Sequence, residues 1–159
     1  MKRKILMIVL AAAALFAAYN AVWFAWSRVK YGALSDGMEE MDFGAFAAPR
    51  YISADADGYD YLVKYPEYLS FVGNMSVGLP AADDNPFTDA LIVWPKLGGG
   101  YEFGVLLYDE DGTGYSVYID PAGSALAKED EDAVSRHGEN IGNLLVKADE
   151  KWGVRAGNR

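Results

Sequence analysis

Cysteine is absent from the 159 residues, and histidine occurs once, at His137. The first absence excludes a disulfide framework, a thiolate metal site, a cysteine nucleophile and a lipid-bearing cysteine. The second leaves the chain poor in general bases. A single histidine on the apolar stripe of a helix is ordinarily a packed, hydrogen-bonded residue. Acidic residues are missing from the first 30 positions, yet 23 follow them. There they outnumber nine basic residues, for a net charge of −14 over residues 31–159. A surface of that sign repels phosphate backbones and anionic headgroups, so no nucleic-acid partner is expected. It suits cations or basic partners, or simply keeps the domain solvated.

What the N-terminus does contain is Lys2, Arg3 and Lys4, then 22 uncharged residues from Ile5 to Trp26, then Arg28 and Lys30. A helix of that length measures about 33 Å, enough for a hydrocarbon core of about 30 Å. The run exceeds the apolar stretch of about 7 to 15 residues in a secretory signal. Trp23, Phe24 and Trp26 lie at its far end, where amphipathic rings favour the headgroup level. Residues 1–30 therefore read as a signal-anchor transmembrane segment, with the N-terminus cytoplasmic and the bulk of the chain extracytoplasmic. Ala25-Trp26-Ser27 is a small-x-small site, so secretion after cleavage near Ser27 is the alternative.

Residues 31–55 mix glycines and Pro49 with Met38, Met41, Phe43 and Phe46, and read as a linker. Ser35 is placed to cap a short amphipathic helix within it, with Met38, Met41 and Phe46 facing one way. Residues 56–153 form the folded domain, and 154–159 a tail. From Tyr59 the period is two, with Tyr59, Tyr61, Val63 and Tyr65 on one face. Pro66 stops that strand, and a second through Met75 and Val77 returns as a hairpin. Leu91–Trp94 is a short apolar third strand closed by Pro95. Tyr101–Tyr108 is a fourth with both faces partly apolar, which places it centrally. Asp111-Gly112 is a tight-turn signal, and Tyr115, Val117 and Ile119 continue as a fifth strand.

A last helix begins in Glu129-Asp130-Glu131-Asp132, where carboxylates favour the positive end of the dipole, and runs to Trp152. Val134, His137, Ile141, Leu144, Leu145, Ala148 and Trp152 share one stripe, and Gly153 supplies a left-handed cap. Gly138 and Gly142 leave two options: a close approach to the sheet, or a break near Gly138. The expected fold is α+β: an N-terminal transmembrane helix, then an antiparallel meander of about five strands with the C-terminal helix on one face.

Few motifs carry chemistry. Ser76 lacks the spacing of a nucleophile elbow and falls in a strand. Gly98-Gly99-Gly100 lacks the Lys-Ser/Thr end of a phosphate loop and makes a turn. Asp55-Ala-Asp57-Gly58-Tyr-Asp60 has the alternating carboxylates of a calcium loop. Aligned on Gly58, however, Ser53 and Lys64 stand where an EF-hand needs acids. A looser calcium site would join Asp55, Asp57 and Asp60 to Asp83, Asp84 and Asp89. No other cofactor is expected, and no catalytic residue is assigned.

Nine of the eleven tyrosines fall between positions 51 and 118, mostly in strands. Tyrosine offers large contact area with a polar tip, so a sheet face built from it suits recognition, although such rings also line cores. The sequence thus predicts a membrane-tethered extracytoplasmic binding or interaction module for a protein or envelope polymer. Alternatives are an accessory subunit of a membrane complex, a calcium-binding domain, or a hydrolase using two carboxylates.

Overall fold

The computed structural model describes residues 2–42, 44, 47–80, 87–109 and 111–155. Helix α1 runs unbroken from Lys2 to Leu34. No proline interrupts it, and the chain leaves it through a turn at Ser35–Gly37, where Gly37 adopts φ 72°. Among the described residues it is the one helix long and apolar enough to cross a membrane. Its last turns belong to the domain. Tyr31 is buried, lies 5.6 Å from the Tyr65 ring, and accepts the Gly73 N–H at 2.6 Å through its hydroxyl oxygen.

Seven strands follow: β1 (Glu39–Met41), β2 (Arg50–Ala54), β3 (Asp60–Lys64), β4 (Asn74–Gly78), β5 (Ala90–Pro95), β6 (Tyr101–Tyr108) and β7 (Gly114–Ile119). They form one antiparallel sheet in sequence order, an open meander. The α+β expectation holds, with two strands more than expected. Both extra strands come from the segment read as a linker. β1 pairs Glu40 with Tyr51, and β2 pairs Tyr51 with Val63, so this stretch extends the sheet edge. Ser35 does not begin a helix. It closes α1: its hydroxyl donates to the Tyr31 carbonyl at 3.0 Å and lies 3.2 Å from the Tyr65 hydroxyl. Phe43 and Phe46, assigned to that expected helix and linker, lie outside the described residues.

Strand alternation sends Val63, Met75, Leu91, Val93, Val105 and Leu107 to one face, all essentially inaccessible to water. At about 25 cal/mol per Å² of apolar surface, burying such side chains is the main force holding helix to sheet. A 3₁₀ turn at Lys128–Asp130 leads into α2 (Glu131–Arg136), and α3 covers Gly138–Trp152. α3 lies over β4 and β5 with Ile141, Leu144, Leu145 and Ala148 inward. The break falls at His137, whose ψ of 14° departs from helical geometry. Gly153, at φ 64°, returns its N–H to the Asp149 carbonyl and ends the helix as expected. At that end the Trp152 indole donates to the Leu34 carbonyl at 2.9 Å, which fastens α3 to α1. Val154, assigned to the tail, is wholly buried and belongs to the core. Residues 156–159 of that tail lie outside the described residues.

Gly142 does not serve close approach: a Cβ built there meets nothing within 4 Å. Gly142→Ala is therefore expected to raise unfolding free energy by about 0.5–1 kcal/mol, the helix-propensity difference. Denaturant titration would measure it.

Candidate functional site: an uncovered sheet face

The same alternation that fills the core gives the sheet a second face. Ile52, Leu62, Ser76, Ile92, Gly104 and Tyr118 are consecutive cross-strand partners from β2 to β7, one row across it. α2 and α3 pack on the opposite side, and in this row Ile52, Leu62, Ser76 and Ile92 are partly buried, Gly104 is buried and Tyr118 is exposed. A solvated antiparallel face is ordinarily polar. Here the centre is apolar and aromatic, with Ile92, Trp94 and Tyr118 around Gly104.

Gly104 shapes that centre. Trp94 lies on it so closely that a Cβ at Gly104 would stand 2.9 Å from the indole Cζ3. The Tyr118 ring, 60% exposed, flanks the indole at 5.8 Å with the planes 38° apart. Ile92, Ser116 and Tyr118 complete a shallow cleft of about 160 Å³ beside Trp94. Two tilted rings beside the exposed Ser116 form an apolar platform with a polar edge. Composition points to aromatic recognition, but the pairing of Trp94 with Gly104 and Tyr118 requires strand register.

A second cluster sits at the start of α3. Asp89, just before β5, is 4% exposed and accepts the Tyr108 N–H at 2.9 Å and the Asn140 amide at 2.8 Å. His137 Nδ1 is 2.7 Å from its Oδ2. Three donors thus converge on one buried carboxylate, which explains why His137 stands where the helix breaks. The far nitrogen, Nε2, is 3.4 Å from the Tyr115 hydroxyl, itself held by Arg136 at 3.2 Å. Carboxylate and imidazole are arranged like the orienting half of a triad, but the hydroxyl facing Nε2 is a phenol paired to a guanidinium. The cluster ties helix to sheet. Sequence alone gives His137 no partner and groups Asp89 with the loop acids.

The calcium candidates are partly brought together. Asp55 Oδ1 accepts the Asp57 and Tyr59 N–H groups at 2.9 and 3.0 Å, an Asx turn. Its Oδ2 accepts the Tyr61 hydroxyl at 2.9 Å. Lys147 Nζ bridges the pair, 2.9 Å from Asp55 and 2.6 Å from Asp57. Asp60 stands apart, opposite Ala54 and Gly78 in the sheet. Asp89 is engaged with His137, while Asp83 and Asp84 lie outside the described residues. Among the described residues no three His, Cys, Asp or Glu side chains gather to hold a metal ion. A cation between Asp55 and Asp57 has to displace the ammonium already there.

Desolvation pushes the Asp55 carboxyl up, but the Lys147 ammonium, the Tyr59 N–H, the Tyr61 hydroxyl and the Asp57 N–H outweigh it and bring its pKa to about 2. Hydrogen bonds to Asp57 and Asp55 raise the Lys147 pKa in turn. A carboxylate depressed on folding contributes stability that is complete above its unfolded pKa of about 3.8 and lost as pH falls toward about 2. Lys147→Met is therefore expected to melt below the wild type at neutral pH. The gap should shrink as pH falls from about 4 to about 2, where Asp55 gains its proton. Melting temperature against pH measures it.

Comparison with protein-family models, curated proteins and solved structures finds no match to this chain.

Proposed function

We infer that this chain is a membrane-tethered extracytoplasmic binding module that presents the Trp94–Tyr118 face to a protein or envelope polymer. The observation that carries the reading is the apolar, half-open sheet face with Trp94 seated on Gly104. Tethering rests on α1. Its basic start and uncharged run suit a span with the N-terminus in the cytoplasm and the acidic domain outside. Retention is favoured over cleavage near Ser27 because Ser27 is buried inside a continuous helix. The neighbouring indoles of Trp23 and Trp26 also donate to domain carbonyls, at 2.6 and 3.2 Å. A cleaved chain would lose both bonds.

The test uses the full chain in lipid nanodiscs, exposed separately to purified envelope polymer and to solubilised envelope proteins. Wild type is expected to retain one of them. Trp94→Ala should weaken binding by about 2 kcal/mol or more, as loss of a central aromatic anchor does. Gly104→Val should act in the same direction by pushing the indole off its seat. Retention of neither class by the wild type, or equal retention by both variants, overturns the reading. The accessory-subunit alternative draws support from the same α1, whose apolar residues from Ile5 to Leu10 are all exposed. Replacing Ile5–Ala18 with an unrelated apolar run separates the two: the binding module keeps its partner, and the accessory subunit loses it.

A further inference from the structure

The β3–β4 connection, Tyr65 to Gly73, runs alongside α1 rather than into solvent. Tyr19 donates from its hydroxyl to the Leu69 carbonyl at 3.2 Å. Trp23 and Trp26 donate to the next two carbonyls, Ser70 at 2.6 Å and Phe71 at 3.2 Å. Tyr68 returns a bond to the Asn20 side chain at 2.8 Å, and edge-to-face contacts join Tyr19 to Phe71 and Trp23 to Tyr68. The loop is therefore held against the helix from Tyr19 upward.

That overlap conflicts with a bilayer that stops at the loop. The part of the apolar run below Tyr19, from Ile5 to Ala18, is 14 residues and measures about 21 Å. The hydrocarbon core is about 30 Å thick, and tilting the helix shortens its reach further. To fill the core, the span must include much of Tyr19–Trp26, and the loop travels with it.

The loop is built for that depth. From Tyr68 to Gly73 it carries no charge, and Glu67 at its shoulder is paired with Lys64 at 2.8 Å. Tyr68, Leu69 and Val72 are 54%, 58% and 40% exposed, a largely apolar tip that stays open on the side away from α1. Leu69 holds φ 69°, the single non-glycine residue with positive φ among those described. Backbone groups near hydrocarbon need internal partners because water is scarce there. Three consecutive carbonyls at this tip have them, all supplied by α1.

We propose that the β3–β4 loop is a second membrane element: its tip, Tyr68 to Val72, is immersed in the lipid of the outer leaflet beside α1 and fixes the height and tilt of the domain. The proposal rests on the reading of α1 as a span. The indoles of Trp23 and Trp26 then serve the loop instead of lipid carbonyls. Arg28, 5.5 Å from the Phe24 ring and 5.9 Å from the Tyr65 ring, marks the level at which the chain leaves the lipid.

The absence of native cysteine makes single-site nitroxide labelling direct. Leu69→Cys, Tyr68→Cys, Leu10→Cys and Ala56→Cys are each labelled in the full chain and reconstituted in vesicles of phosphatidylcholine and phosphatidylglycerol. Ala56 is exposed in the β2–β3 turn at the far end of the sheet. Spin relaxation is then compared with oxygen, which enters lipid, and with a nickel chelate, which stays in water. The expected result is that oxygen dominates at Leu10, Leu69 and Tyr68, and the chelate at Ala56. If Leu10 behaves as lipid-embedded while Leu69 and Tyr68 behave like Ala56, the loop proposal is overturned and the span stands. If Leu10 also behaves like Ala56, the span itself fails and the loop proposal falls with it.

Discussion

Asp89→Ala is expected to lower the unfolding free energy by about 3–5 kcal/mol, the range for removing one partner of a buried charged network. The cost is not the loss of one hydrogen bond. The carboxylate receives the Tyr108 N–H, the Asn140 amide and the imidazole, and the alanine leaves all three without their acceptor. Tyr108 ends β6 and Asn140 lies in the first turn of α3, so the loss loosens sheet and helix together. A domain of this size has about 5–15 kcal/mol of total stability, so the variant should sit close to its unfolding threshold at physiological temperature. Calorimetry or denaturant titration reads the change. Combining Asp89→Ala with His137→Ala should cost well below the sum of the separate effects, because both changes disrupt one network. Additive effects would show that Asp89 and His137 act independently.

Gly73→Ala should be about as damaging, by about 3 kcal/mol or more, although it adds only one methyl group. The new Cβ would lie 2.1 Å from the Lys64 carbonyl oxygen, 2.9 Å from the Pro66 nitrogen and 2.9 Å from Tyr31 Cε1. Two of those atoms are backbone and have no rotamer to adopt. Relief requires the β3–β4 loop to rebuild, which moves the Gly73 N–H away from Tyr31 and opens the joint between α1 and the domain. Two measurements follow: a lower denaturation midpoint, and protease access near Ser35 where the wild type is protected. Gly142→Ala serves as the opposite control, since the same methyl group there meets empty space.

These positions show where a sequence is readable. The anchor-like helix is legible because 22 uncharged residues between basic clusters match the thickness of a bilayer and exceed what a small core can hide. β3, β4 and β7 are legible from their period of two, β5 as a short apolar run that Pro95 closes and β6 as a longer run apolar on both faces, and Asp111-Gly112 punctuates the last pair. β1 and β2 are not: at three and five residues they carry too little pattern, and Gly37 and Pro49 resemble linker residues. The end of α1 is misplaced from sequence because Arg28 and Lys30 look like the edge of a span, whereas helix formation stops only where Gly37 turns the chain.

Site geometry is less accessible still. Asp89 and His137 are 48 positions apart, and Asp55 and Lys147 are 92 apart. Neither pair leaves a local signature, because each is created by α3 folding back over the sheet. Trp94 and Gly104 become partners only once β5 and β6 are in register. Gly73 gives no local hint of its role, since what forbids a side chain there is the carbonyl of residue 64 on the neighbouring strand.

The bond from the Trp152 indole to the Leu34 carbonyl joins the beginning of the domain to its end, across 118 positions of sequence. Leu34 is the last residue of α1, and Trp152 the last of α3. During synthesis the first element leaves the ribosome long before its final partner exists. The final docking of α1 must therefore wait until Trp152 has been made, so α1, though synthesised before the sheet, is among the last of these elements to settle.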